Sequence, residues 1–352
     1  MFDITQLAKK NIQQLKPYQS ARRIGGAGSI WMNANELPYE INYISQNIKL
    51  NRYPDNQPSN VVKKYANYAG VSYNNVIVTR GADEGIELLI KAFCNSEHDA
   101  IITCPPTYPM YAISAEIMGI KNYEIATFYN WNLDLQKIYK YRKNTKIIYI
   151  CRPNNPTGYL INEQDIYYLL DLFKNTALVV VDEAYIEFSM NYNLSKLIPL
   201  FPNLVILRTL SKAFGLAALR CGFILANCSV INLLKNIIAP YPIPTPISDI
   251  ASHFLNEDMI INMKNRVKKI NVLKKWFLEK LKNIKVIKNI FDSQGNFLLI
   301  EFFCYKSVCK KLYDKGIIIR SQNDKIMLKN HVRISIGTHK DCAQILDILK
   351  KL

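Results

Sequence analysis

Several common signatures are missing from these 352 residues. No uncharged apolar run approaches the ~20 residues that a membrane span needs, so a transmembrane protein is not expected. The start, Met1-Phe2-Asp3-Ile4-Thr5-Gln6, has no basic stretch followed by an apolar one, so no secretory signal is expected. The 8 cysteines are scattered and form no CxxC pair, the closest two being Cys304 and Cys309, which reads as reduced thiols in a cytoplasmic protein. Histidine is rare: His98, His253, His331 and His339 show no metal-ligand spacing. They are expected at the surface or in loops, and no metal is expected. The glycine cluster Gly25-Gly26-Ala27-Gly28 lacks a following Gly-Lys-Ser/Thr and a clear preceding strand, so it reads as a flexible connection rather than a phosphate loop.

Arginine is also scarce, at 11 of the 45 basic residues. The formal charge is nevertheless +17. The lysines are dispersed, without the basic stripe that nucleic-acid binding requires. The densest patch, Lys264 to Lys288, places Val267, Ile270, Leu273, Phe277 and Leu281 at helical spacing, so its lysines form a solvated face. No nucleic-acid or membrane partner is expected, although such a field attracts small anions. With 49% hydrophobic and 21% charged residues, the chain has the composition of an ordinary globular protein.

Between about 60 and 240, short apolar runs alternate with helical patterns. The runs are 75–79, 100–104, 146–150, 177–181, 204–207 and 221–225. Each is uniformly apolar, as strands covered on both faces must be. The alternation predicts an α/β fold, with a mostly parallel sheet sandwiched by helices. Ligands in such sheets bind beyond the carboxyl ends of the strands. The proline-rich 239–246 reads as an extended linker, followed by one long helix over 247–283 and a smaller α+β domain. The expected division is an N-terminal arm over 1–30, a large domain over 31–242 and a small domain over 243–352.

Four segments after predicted strand ends are chemically unusual. Arg80-Gly81-Ala82-Asp83-Glu84-Gly85 puts small residues at a helix start, where free N–H groups can hold an anion. Cys151-Arg152-Pro153-Asn154-Asn155-Pro156-Thr157-Gly158 makes a rigid, sharply turned loop. Asp182-Glu183 follows a continuous hydrophobic strand, where acids are costly unless paired or facing a ligand. In Arg208-Thr209-Leu210-Ser211-Lys212-Ala213-Phe214-Gly215, small and apolar neighbours can desolvate Lys212, which lowers its pKa and makes it able to form a Schiff base. Thr209, Ser211 and Arg220 can surround a phosphate. An anion cup, an Asn, a strand-end Asp and a desolvated Lys together match what pyridoxal 5′-phosphate requires.

On these residues the sequence resembles the pyridoxal-phosphate-dependent aminotransferases of fold type I, and within them the histidinol-phosphate branch. The likeness runs from Pro17-Tyr18-Gln19-Ser20-Ala21-Arg22-Arg23 to Val332-Arg333-Ile334-Ser335-Ile336-Gly337-Thr338. It includes Asn51-Arg52-Tyr53-Pro54, Cys104-Pro105-Pro106-Thr107-Tyr108 and Asp182-Glu183-Ala184-Tyr185-Ile186-Glu187-Phe188. The Asn-Pro-Thr-Gly and Ser-x-Lys motifs are common to the superfamily, whereas Gly-Ala-Asp-Glu and Asp-Glu-Ala-Tyr-Ile-Glu-Phe are more specific.

The resemblance implies reversible amino transfer between L-histidinol phosphate and 2-oxoglutarate, a step of histidine biosynthesis. It implies that Lys212 holds the cofactor covalently and then moves the substrate α-proton. Asp182 is expected to pair with the pyridine nitrogen, and Asn155 and Tyr185 to hydrogen-bond the ring oxygen. Tyr108 is expected to stack on the ring. The backbone of Ala82 and Asp83, with Thr209, Ser211 and Arg220, is expected to hold the cofactor phosphate. Tyr53 is expected to reach that phosphate from the second subunit of a homodimer. Arg333 and Arg320, placed at strand ends, and Tyr18 are expected at the substrate's anionic end. Phosphothreonine decarboxylases and aromatic aminotransferases share much of this pattern, and amino-group return to 2-oxoglutarate, against release of carbon dioxide, discriminates them.

Overall fold

Uniformly apolar runs form interior strands because each of their faces meets its own hydrophobic layer. A computed structural model describes residues 10–15, 28–41, 43 and 50–352. Its strands, in chain order, are β1 Ile30–Met32, β2 Val76–Thr79, β3 Ala100–Thr103, β4 Lys121–Glu124, β5 Thr145–Cys151, β6 Leu178–Asp182, β7 Leu204–Thr209, β8 Gly222–Ala226, β9 Ile287–Phe291, β10 Phe297–Phe302, β11 Ile317–Ser321 and β12 His331–Ser335. Seven of them form one sheet in the order β2-β8-β7-β6-β5-β3-β4. Within β6, Val179 and Val181 join one buried cluster while Leu178 and Val180 join the cluster on the opposite face. β7 divides in the same way, with Leu204 and Ile206 on one side and Val205 and Leu207 on the other. All neighbours from β4 to β7 run parallel, and β8 is antiparallel to both β7 and β2. This is the mixed, mostly parallel α/β sheet expected.

A second sheet of five strands has the order β1-β11-β12-β10-β9. β1 pairs parallel with β11, with Ile30 opposite Ile317. The expected boundary at 30/31 therefore falls inside a strand, and the start of the expected large domain contributes to the second sheet. The segment that follows, Asn33-Ala34-Asn35, runs from that sheet past the carboxyl ends of the first.

Local readings that fail do so for visible reasons. The single helix expected over 247–283 is two helices, Thr245–Phe254 and Glu257–Leu281. Asn256 interrupts them with extended backbone (φ −71°, ψ 155°), its side chain accepting from Lys64 Nζ at 2.7 Å. Glu257 and Asp258 then favour a new helix start. The proline-rich segment, expected as a stiff extended linker, is anchored at its far end, since Ile243 is buried in the core and Pro246 lies in the first turn of the following helix. His331, expected at the surface, is buried in β12, with its ring 5.4 Å from that of Phe291. Among the described residues, no helix is long and apolar enough to cross a membrane.

Candidate active site

A cavity of about 500 Å³ opens at the carboxyl ends of β5, β6 and β7, between the two sheets. Asp182, Asn155, Tyr185 and Lys212 all line it. So do Ala82, Asp83, Tyr108, Thr209, Ser211 and Arg220, and from the second sheet Arg320 and Arg333. The segments singled out in the sequence thus converge on one space.

Asp182 ends β6 and is buried. Its Oδ2 accepts from the Tyr111 hydroxyl at 2.6 Å, and its Oδ1 from the Ala184 N–H at 3.0 Å. Burial raises its pKa from 3.8 to about 6, against the lowering effect of those two donors. Strand alternation sends the neighbouring acid elsewhere. Glu183 accepts from Arg208 Nε at 2.7 Å, with both side chains fully buried. One acid of the pair is therefore neutralised internally, while the other keeps an unmet electrostatic demand at the cavity wall.

Lys212 donates from Nζ to the carbonyl of Ala34 at 2.9 Å. Burial, with the nearby Arg333 guanidinium, pushes its amine down from 10.5 to about 8. An amine so adjusted is partly neutral near physiological pH and able to attack a carbonyl. Its Nζ lies 5.8 Å from the centre of the Tyr185 ring. The Tyr185 hydroxyl accepts from Asn35 Nδ2 at 3.1 Å and from Asn155 Nδ2 at 3.3 Å, and burial pushes its pKa well up.

The residues expected to hold an anion gather where the helix Ala82–Phe93 begins. Gly81 has φ 82°, and a Cβ there would lie 2.7 Å from an Arg220 nitrogen. A Cβ on Gly222 would meet the Gly81 carbonyl carbon at 2.5 Å and the Ala82 nitrogen at 2.6 Å. Two glycines thus let β8, the helix start and the Arg220 guanidinium approach closely. Arg220 reaches Asp83 at 3.2 Å and Ser211 Oγ at 3.5 Å, and Thr209 donates to Ser211 Oγ at 2.9 Å. Tyr108 donates to Asp83 at 2.9 Å, which sets its ring beside the cup.

Arg333 lies at the centre of β12 rather than at a strand end, directly opposite Arg320 of β11. Like charges facing each other across a strand pair are unfavourable without an anion between them. Arg333 donates to Asn155 Oδ1 at 2.6 Å and to the Asn33 carbonyl at 2.7 Å. Tyr53 is not part of the cavity wall. It is 81% exposed and stacked on Tyr241 at 4.4 Å. Tyr18 lies outside the described residues.

Two contributors escaped the sequence reading, and a third, Arg208, stood in a singled-out segment without a role. Tyr111 looks like a core residue of its helix, and only the fold brings its hydroxyl to Asp182. Asn33-Ala34-Asn35 has no motif character, yet it touches Arg333, Lys212 and Tyr185. The partner of Glu183, Arg208, sits inside an apolar strand, which is itself a sequence signal that a buried acid must face it.

A family profile described as aminotransferase class I and II matches residues 28–349. A histidinol-phosphate aminotransferase from Buchnera aphidicola subsp. Schizaphis graminum is 51% identical over 349 residues, covering 99% of this chain and 98% of its own length. The Escherichia coli (strain SMS-3-5) enzyme of the same name is 49% identical over 347 residues, with the same coverages of 99% and 98%. A crystal structure of a histidinol-phosphate aminotransferase from Clostridium acetobutylicum superposes with a TM-score of 0.82 at 25% identity, covering 92% of this chain and 98% of that one. The Sinorhizobium meliloti counterpart, solved in complex with pyridoxal-5′-phosphate, shares the fold with a TM-score of 0.84 at 19% identity, covering 98% and 97%.

Proposed function

The chain belongs to the aminotransferase class I and II family, and from that premise we propose that it transfers an amino group reversibly between L-histidinol phosphate and 2-oxoglutarate. The products are imidazole acetol phosphate and L-glutamate, and the reaction serves histidine biosynthesis. The single observation that carries this reading is the arrangement of one cavity with a depressed amine, a buried acid and two separate cationic ends. Relatives about half identical over almost the whole chain bear the corresponding name.

Pyridoxal 5′-phosphate fits the donor set. The cup of Ala82, Asp83, Thr209, Ser211 and Arg220 suits its phosphate, because glycines clear the space that side chains would fill. Asp182, buried with a raised pKa, suits a protonated ring nitrogen. When bound, the group supplies an aldehyde that captures amines and a ring that delocalises the charge left by a departing α-proton. Lys212 would hold that aldehyde through Nζ and, as a free amine, would carry the substrate α-proton. Asp182 would hold the ring nitrogen in its protonated form, with Tyr111 fixing the carboxylate in place. Asn155 and Tyr185 would hold the ring through its oxygen, and Tyr108 would pack beside it.

Arg320 and Arg333 bind the phosphate of the amine donor and, in the second half-reaction, a carboxylate of 2-oxoglutarate. We further propose a cytoplasmic homodimer in which the exposed Tyr53, supported by Tyr241, is covered by a second copy and reaches its cofactor phosphate. The division into an arm, a large domain and a small domain belongs to the same reading.

The direct test is a two-substrate assay. Purified protein with cofactor should form glutamate from 2-oxoglutarate only when L-histidinol phosphate is supplied. Carbon dioxide release from a phosphorylated amino acid, without any acceptor, would contradict the reading. Arg333→Met should raise the KM for L-histidinol phosphate by roughly 100-fold, the cost of one buried charge-assisted contact. Its cofactor dissociation constant should move far less. Equal losses in both would assign Arg333 to the cofactor instead.

A further inference from the structure

Asn35 is fully buried, and its backbone is left-handed at φ 53°, a conformation that asparagine tolerates better than most residues. All its polar groups are engaged. Its N–H donates to Ser335 Oγ at 2.9 Å, and its carbonyl accepts from Asn296 Nδ2 at 3.1 Å. Its Oδ1 accepts the Ser335 hydroxyl proton at 2.9 Å, which turns Nδ2 toward Tyr185 Oη at 3.1 Å. On the other side, Arg333 donates to Asn155 Oδ1 at 2.6 Å, which turns the Asn155 amide the same way. A guanidinium cannot face an amide NH₂, so this second orientation is fixed by charge.

Tyr185 Oη therefore receives two N–H groups and has only its own proton left to give. We propose that Asn35 is a positioning residue for Tyr185: by occupying a lone pair of Oη, it aims the hydroxyl proton into the cavity, at an acceptor on the bound ligand. This rests on the reading above, in which that acceptor is the ring oxygen of the cofactor. Asn155 is shared with the substrate-binding Arg333, whereas Asn35 is tied to Ser335 and Asn296. Asn35 thus holds Tyr185 whatever occupies the arginine end. With the Asn35 amide reversed, Tyr185 would spend its proton on Oδ1 and offer the ring nothing.

The test is an absorbance titration of the holoenzyme, carried out on Asn35→Gly and Asn35→Asp in both the unmodified and the Tyr185→Phe backgrounds. Glycine keeps the left-handed backbone without strain and removes only the amide. Aspartate is nearly isosteric, and its carboxylate would capture the Tyr185 proton. A ring oxygen that loses a donor becomes more basic, so Tyr185→Phe should raise the pH midpoint of the cofactor band. Each Asn35 variant should raise it by about 0.5–1 pH unit, the equivalent of one ordinary hydrogen bond. In the Tyr185→Phe background Asn35→Gly should not shift it further, and Asn35→Asp should keep only the smaller shift due to its added charge. Arg333, Asp182, Cys151 and Lys212 also face Tyr185 and are unchanged throughout, so their influence cancels.

An unmoved midpoint, or an equal shift in both backgrounds, would overturn the proposal. Loss of fold or of cofactor in both Asn35 variants would also overturn it, marking a structural residue. Absence of any cofactor band in the unmodified protein would defeat the functional reading instead.

Discussion

Lys212→Ala should lower turnover by at least ~10⁴-fold, as expected when the nucleophile and proton carrier of a site are the same group. The loss should be in kcat for both half-reactions, because the same amine serves each. The fold should survive. Lys212 lines a cavity rather than the core, and its Nζ donates to a backbone carbonyl, at Ala34. Its neighbours Ala213 and Phe214 are fully buried and would continue to anchor the loop. Circular dichroism and thermal unfolding should therefore match the unmodified protein. Steady-state transamination at more than a thousandth of the normal rate would remove Lys212 from its assigned role.

Asp182→Asn should reduce kcat by roughly 10³-fold, since a preorganised charge facing the developing negative charge is lost. It should act on apoprotein stability with the opposite sign. In the apoprotein, burial holds the Asp182 pKa at about 6 against an ordinary 3.8. Between those values the folded state binds a proton that the unfolded state has released, so stability falls as pH rises through the window. Above pH 6 the full cost applies, on the order of 3 kcal/mol at one kcal-scale step per unit. Asparagine removes that cost and the pH slope with it, and should raise the apoprotein Tm at pH 7 while weakening cofactor affinity. A variant that loses both activity and apoprotein stability would mean that Asp182 is a structural acid. Functional sites that strain the unliganded fold are a recognised trade-off between stability and activity.

How far the sequence foretold this molecule depended on whether the physics was local. β5, β6 and β7 were legible because burial on both faces demands unbroken apolar runs. β4 was not, since it is a sheet edge of sequence Lys-Asn-Tyr-Glu. β1 was not either, because three residues acquire strand character only from a pairing with β11 nearly the whole chain away. Within the site, residues directly after strand ends stood out by violating a local rule, as Asp182 does after four apolar residues. Tyr111 and Asn35 violate none. One is a tyrosine among 22 and lies on an apolar helix, and the other is an asparagine in an asparagine-rich chain. Their roles come from tertiary contacts to Asp182 and Tyr185, which spacing along the chain does not encode. The Glu183–Arg208 pair was half-legible, since each residue alone signals the need for a buried partner without naming it.

The most direct measurement is borohydride reduction of the cofactor-loaded protein followed by peptide mapping. Reduction fixes the cofactor to whichever amine carries it. The expected label falls on the peptide spanning Thr209-Leu210-Ser211-Lys212, and Lys212→Ala should leave no stoichiometric label. A stable adduct on any other lysine, or a protein that reduces without being labelled, would contradict the assignment of this cavity.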